Sequence, residues 1–250
     1  SRPGCAGSRR VGQRDLRKLV LLLALDTATR TGSAAVWQDG RVLSERRELV
    51  TTHSERLLAI VSDVLGDAQK TLPQIDGVAV GAGPGSFTGL RIGMATAKGL
   101  CFALDKPLYA VSSLAALALG ARAHASDAGA PVLACLDALR DEVFVGIFAP
   151  RGDIVVPLLA EFVLAPEAVG AYLARHASAW GHAPLGVIGN GAERYEAIAA
   201  RWGRRIGNAA QIPAAAHVAA LAAARDASDN VAAIVPSYVR LSEAETQFGK

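Results

Sequence analysis

Aromatic side chains are scarce: six Phe, four Tyr and three Trp make up 5% of the 250 residues, while apolar residues as a whole reach 51%. A β-sandwich draws more heavily on aromatic and β-branched residues, so the balance points to an alanine-rich α/β protein with ample material for a core. Cysteine is also sparse. Cys5, Cys101 and Cys135 form no CxxC pair, which excludes a disulfide framework and a zinc ribbon. The last two lie inside apolar runs and read as buried, reduced thiols of a cytoplasmic protein. Five histidines (His53, His124, His176, His182, His217) are scattered without HExxH or paired spacing, so each reads as a surface or structural residue. No apolar run approaches the ~18 residues that span a bilayer, and no membrane partner is expected.

Basic charge is missing from the body of the chain. Residues 1–19 carry six Arg and Lys against Asp15, a balance of +5, so the rest holds −2 of the formal +3. A slightly acidic body without a Lys/Arg stripe is a poor nucleic-acid binder by itself, because phosphate contacts dominate that affinity. Any service to RNA would go through another subunit. Residues 1–19 read as a disordered basic leader, and Leu19–Leu25, which ends on Asp26, as a strand in preference to a signal segment.

What is present is strong punctuation. Val20–Asp26 is an apolar strand closed by a carboxylate, and Gly32–Trp37, Asp39-Gly40 and Arg41–Val50 spell a hairpin with a type I′ turn. Thr52-x-x-Glu55 is a capping box opening a helix with Leu57, Leu58, Val61, Val64 and Leu65 at core spacing. A strand at Gly77–Gly81 leads into GAGPGSFTGLRIG, residues 81–93, and a helix continues to Leu104. Strand, glycine loop and helix N-terminus together make the geometry of an anion site, with Ser86 and Thr88 as weak candidate contacts. A dinucleotide fingerprint would need glycine at Ser86, a P-loop would need Lys-Ser or Lys-Thr at Leu90-Arg91, and a nucleophile elbow would need glycine at Pro84. The alternative is a tight turn that packs the helix closely on its sheet. Gly89, Gly93 and Ala97 recur every fourth residue of that helix, a stripe that faces either its own sheet or a partner helix.

The pattern then repeats. Pro107–Val111 is a strand, and Ser112 or Ser113 caps a helix to Ala123. After a linker over 125–130, Pro131–Asp137 again ends an apolar strand on aspartate. A hairpin of 143–149 with 154–163, a helix Pro166–His176, a strand Leu185–Ile188, Gly189-Asn-Gly191 and a helix Glu193–Trp202 follow. The last helix expected is Ala214–Arg225. A duplicated β-β-β-α-β-α unit explains such a long internal repeat. It resembles the actin, Hsp70 and sugar-kinase superfamily: two tandem actin-like α/β domains, each a mixed sheet flanked by helices, over 20–111 and 112–230, with a terminal segment 231–250. Members of that class usually hold ATP between their domains, with Asp26 as the counterpart carboxylate. The second half departs from a nucleotide site, since the loop Ala138–Glu142 lacks the glycines and hydroxyls of a phosphate loop.

The run 81–100, with Leu25-Asp-Thr-Ala, His53-Ser-Glu, Pro107–Leu114, Leu136-Asp-Ala-x-Arg140-x-Glu-Val143, Gly189-Asn-Gly-Ala192 and Pro236-x-Tyr-x-Arg240, resembles the TsaB (YeaZ) family over residues 20 to about 242. The resemblance implies a non-catalytic partner subunit in threonylcarbamoyl-adenosine modification of tRNA. The paralogous catalytic subunit, TsaD, carries a metal-binding His-x-x-x-His where this chain has Ser113 and Leu117, residues unable to replace imidazole. It further implies a homodimer, a heterodimer with TsaD, the ATPase TsaE as a third partner, and ATP used by the complex with no cofactor held by this chain alone. The family's contact helices place His53, Leu57, Val61, Gly89, Gly93 and Ala97 at the expected partner interface. An actin-like kinase or ATPase using Asp26 is the alternative, and a metallopeptidase a more distant one.

Overall fold

The computed structural model describes residues 20–49, 53–125, 127–207, 211–225 and 230–239. The expected leader, Thr52 of the capping box, Arg240 and the side chain of His53 lie outside the described residues.

Two sheets with the same strand order carry the chain. The first runs β3(Arg41–Leu49)-β2(Thr31–Gln38)-β1(Leu21–Asp26)-β4(Gly77–Gly81)-β5(Leu108–Val111). The second runs β11(Gly203–Arg205)-β10(Leu185–Ile188)-β6(Val132–Leu139)-β7(Glu142–Arg151)-β8(Ile154–Pro157), with β9(Phe162–Leu164) also on β7. β1 pairs antiparallel with β2 and parallel with β4, and β6 likewise antiparallel with β7 and parallel with β10, the mixed arrangement of the expected duplicated unit.

β1 is buried along its whole length because both faces of its sheet are covered. Strand alternation sends Leu21, Leu23 and Leu25 to the face packed by α1(His53–Asp67) and α2(Phe87–Leu104), and Leu22 and Ala24 to the opposite face. That opposite face is lined by small residues, Ala24, Ala35 and Ala79, and it receives α7(Ala215–Ala223), itself rich in alanine. Small side chains on both surfaces let helix and sheet approach closely. α3(Ser113–Ala121) lies beside α7 and packs on the second sheet, so α3 and α7 fill the space between the sheets. The far face of the second sheet is covered by α4(Pro166–His176) and α6(Ala197–Trp202).

Three expectations change. The strand foreseen over 154–163 is broken into β8 and β9, because Leu158–Glu161 leaves the ladder beyond Pro157. The helix foreseen over 193–202 is split into α5(Asn190–Arg194) and α6, with Tyr195 out of helical geometry at φ −120°, ψ 74°. β11 follows α6 without having been foreseen. The Asp39-Gly40 turn has φ of 50° and 85°, as a type I′ hairpin requires.

Residues 230–239 run back across the first half as a strap. Ser237 N–H donates to Ala82 O at 2.7 Å, Lys98 Nζ to Ala232 O at 2.8 Å, and Tyr238 packs on Phe87 with ring centres 5.1 Å apart. Among the described residues, no helix is long and apolar enough to cross a membrane.

Candidate functional site

Asp26 stands at the C-terminal end of the central strand of its sheet, the place where open α/β sheets present functional groups. Here the carboxylate does not reach a surface: only 1% of the residue is exposed. Ser113, the first residue of α3, donates its hydroxyl to Asp26 Oδ2 at 2.7 Å, and Ala28 N–H donates to Oδ1 at 2.9 Å. Ser113 is itself held by its N–H on Gly83 O at 2.8 Å. Gly81 completes the seal, since a Cβ there would lie 1.9 Å from Asp26 Oδ2. Burial pushes the Asp26 carboxyl up to about 6, and the two donors offset only part of that cost.

The glycine loop serves this closed arrangement. Ser86 caps α2 by accepting the Gly89 N–H at 3.3 Å, and its own N–H donates to Ala28 O at 2.7 Å. Thr27 Oγ1 donates to Gly89 O at 2.8 Å, and Cβ atoms at Gly89 and Gly93 would meet Thr27 O at 2.1 Å and Thr27 Oγ1 at 2.2 Å. Both glycines therefore exist so that α2 can lie against the loop after β1.

Of the expected site residues, Ser86 and Thr88 are exposed and Asp26 is sealed beneath Ser113, so the three share no common surface. The expected interface residues require a correction. Leu57, Val61, Gly89, Gly93 and Ala97 all point inward: Leu57, Val61 and Ala97 belong to the core between the helices and the sheet, and the two glycines abut Thr27. The outward face of the same helices is formed by Leu58 and Ser62 on α1 and by Ala95, Gly99 and Phe102 on α2. Phe102 is 92% exposed and Leu58 56%.

Among the described residues, the second half offers no phosphate loop after β6. Leu139 pairs with Glu142, so Arg140 and Asp141 are the whole of a two-residue turn, with φ of 53° and 55°. Such a turn has no backbone free to wrap a phosphate. Asp137 Oδ1 accepts from Leu139 N–H at 3.0 Å and Oδ2 from Arg194 at 2.9 Å. Ser113 and Leu117, the positions set against a metal-binding histidine pair, are both core residues at 0% and 2% exposure. Neither a hydroxyl already spent on Asp26 nor an isobutyl group is a metal ligand. Cys101 and Cys135 are free and buried, with burial raising their thiols to about 11 and about 12, so neither is a nucleophile.

The role of Ser113 was missed from sequence alone, although the Ser112-Ser113 pair after β5 marked a helix cap. Ser112 takes that cap, accepting from Ala115 N–H at 2.9 Å, and also donates to Glu161.

Comparison with known proteins bears on these features. Residues 47–174 match the family model described as TsaD, tRNA N6-adenosine threonylcarbamoyltransferase. The chain is 31% identical to the tRNA threonylcarbamoyladenosine biosynthesis protein TsaB of Bacillus subtilis, with 91% of this chain and 97% of that protein aligned. It is 40% identical to TsaB of Escherichia coli over 49% of this chain and 52% of that protein, so it spans about half the length of that relative. Among solved structures, YeaZ from Pseudomonas aeruginosa is 34% identical with a TM-score of 0.74, covering 88% of this chain and 99% of its own.

Proposed function

The chain belongs to the TsaB (YeaZ) family, and we propose that it acts as a non-catalytic partner subunit in tRNA threonylcarbamoyladenosine biosynthesis. The observation that carries this reading is the fate of the two positions where a catalytic relative would hold metal: Ser113 and Leu117 are built into the core. The kinase reading fares worse, because Asp26 lies beneath Ser113 and the Arg140-Asp141 turn leaves no loop opposite it.

In this role the chain binds the catalytic subunit, TsaD, through the outward face of α1 and α2, and pairs with a second copy of itself through the same face when TsaD is absent. Leu58, Ala95, Gly99 and Phe102 supply that face: two apolar anchors flank residues small enough for a partner helix to approach. TsaE joins as the ATPase of the complex, tRNA is reached through the other subunits, and the site of action is the cytoplasm. The division of the chain into working units of 20–111 and 112–230 is likewise proposed, with α7 lent by the second to the first.

Reconstituted tRNA modification with TsaD and TsaE, with and without this protein, is the direct test. The expected result is loss of modification without it. Full activity in its absence overturns the reading. Phe102→Glu is expected to abolish co-elution with TsaD while leaving the circular dichroism spectrum unchanged.

A further inference from the structure

A cleft opens beside the start of α3, where Ser112 and Ala115 line it. Its volume is about 470 Å³, within the ~300–1,000 Å³ range of small-molecule sites. Its walls are apolar, with Phe148 from β7, Leu158 from the segment after β8 and Val239 from the strap. Four polar side chains interrupt them, Ser112, Glu161, Arg225 and Ser237, and three of these bear on its chemistry: Ser112, Glu161 and Arg225.

The chemistry of these three is unbalanced. Ser112 Oγ accepts the Ala115 N–H, so its proton is directed to Glu161 Oε1. That hydroxyl is the sole hydrogen-bond donor to the Glu161 carboxylate among the described residues, and Oε2 is left without one. Burial raises the Glu161 carboxyl above the usual carboxylate range, with the Arg225 charge acting in the opposite sense. Arg225 is close enough to act on Glu161, yet no ion pair within 4.0 Å joins them among the described residues, and its guanidinium enters no hydrogen bond there. Among the described residues, the cleft thus holds a half-buried acceptor without a cationic donor and a separate exposed cation without an anion, across apolar walls.

The break in the strand ladder produces this arrangement. Had β8 continued through Glu161 as the sequence pattern foretold, no segment would leave the sheet to form the wall; the departure of Leu158–Glu161 after Pro157 places the carboxylate against α3.

We propose that this cleft binds a small zwitterion with an apolar body, a free α-amino acid or a dipeptide, its ammonium on Glu161 Oε2 and its carboxylate on Arg225. Opposite charges beside apolar walls match the ammonium and carboxylate of such a ligand while the walls receive its apolar side chain, and each polar contact is a charge-assisted hydrogen bond. The site is independent of the partner-subunit role and of the outward face of α1 and α2.

Isothermal titration calorimetry on the full chain with L-leucine and with leucyl-leucine separates the two sources by which binds more tightly. N-acetyl-leucine and leucinamide each lack one charge, and each is expected to bind roughly tenfold to a hundredfold more weakly than leucine. Glu161→Gln keeps the Ser112 contact; it is expected to weaken leucine by the same factor and erase the penalty for N-acetylation. Arg225→Gln, at an exposed position, is expected to erase the penalty for the amide. Absence of heat with leucine and leucyl-leucine at about 10 mM, or binding that ignores both substitutions, overturns the proposal.

Discussion

Asp26 and Asp137 occupy matching places in two sheets of identical order, and their surroundings are opposite. Asp26 is enclosed, with a hydroxyl from α3 on one oxygen and a backbone amide on the other. Asp137, its side chain still 15% exposed, is paired with Arg194, whose side chain is 47% exposed. The loop after β1 is long enough to receive the N-terminal turn of α2; the loop after β6 is a two-residue hairpin. The loop after a carboxylate-ended strand can therefore fail to offer a phosphate site in two ways. One loop is filled by the protein's own helix, and the other is shortened until nothing remains to bind.

The steepest test of that contrast is Gly81→Ala. Its methyl would overlap Asp26 and crowd Ser113 Oγ at 2.8 Å, and a loss of about 3 kcal/mol or more is expected in urea unfolding. A loss under about 0.5 kcal/mol would show that the Asp26 enclosure is pliant.

The next test is the pH profile. Asp26 has its folded-state pKa raised from 3.8 to about 6, so the folded protein holds this proton more tightly than the unfolded chain. The contribution is fully present below about pH 4 and falls away as pH rises through about 6, a change of order 2–3 kcal/mol. Asp26→Asn should flatten that segment of the curve of unfolding free energy against pH. An unchanged slope would place the titration elsewhere.

Smaller again is the comparison of single partners. Ser113→Ala leaves a buried carboxylate with one donor and is expected to cost about 1–3 kcal/mol, whereas Arg194→Ala breaks a surface pair and should cost about 0.5 kcal/mol or less. Equal costs would erase the distinction between the halves. The smallest expected effect is a gain: Asp141→Gly relieves a left-handed residue at φ 55° and should raise stability by up to about 1 kcal/mol, read as a shift in thermal midpoint.

Much of the fold was legible because its punctuation is local. α4 and β10 fall on the residues that Pro166 and Gly189 bracket, and the β2–β3 hairpin follows from Asp39-Gly40. The breaks at 158–161 and at Tyr195 were not: Pro157 alone does not say whether a strand resumes beyond it, and Tyr195 carries no breaker signal. Asp26 could be found by its position at a strand end. Its partner Ser113 lies 87 residues away, a pairing that no spacing reveals. The direction of the Gly89, Gly93, Ala97 stripe was undecided for a related reason: small residues on one helical face satisfy a sheet and a partner helix equally, and only the position of Thr27 settles it.

The lending of α7 to the first sheet has a consequence for synthesis. By residue 111 a ribosome has made every strand of that sheet, and α1 and α2 to cover one side. Leu22, Ala24, Ala35 and Ala79 on the other side wait for residues 215–223. The nascent first half therefore carries a bare apolar face until those residues emerge, the condition under which chains recruit chaperones or aggregate. Ending the chain before Ala215 would damage the half that was made first.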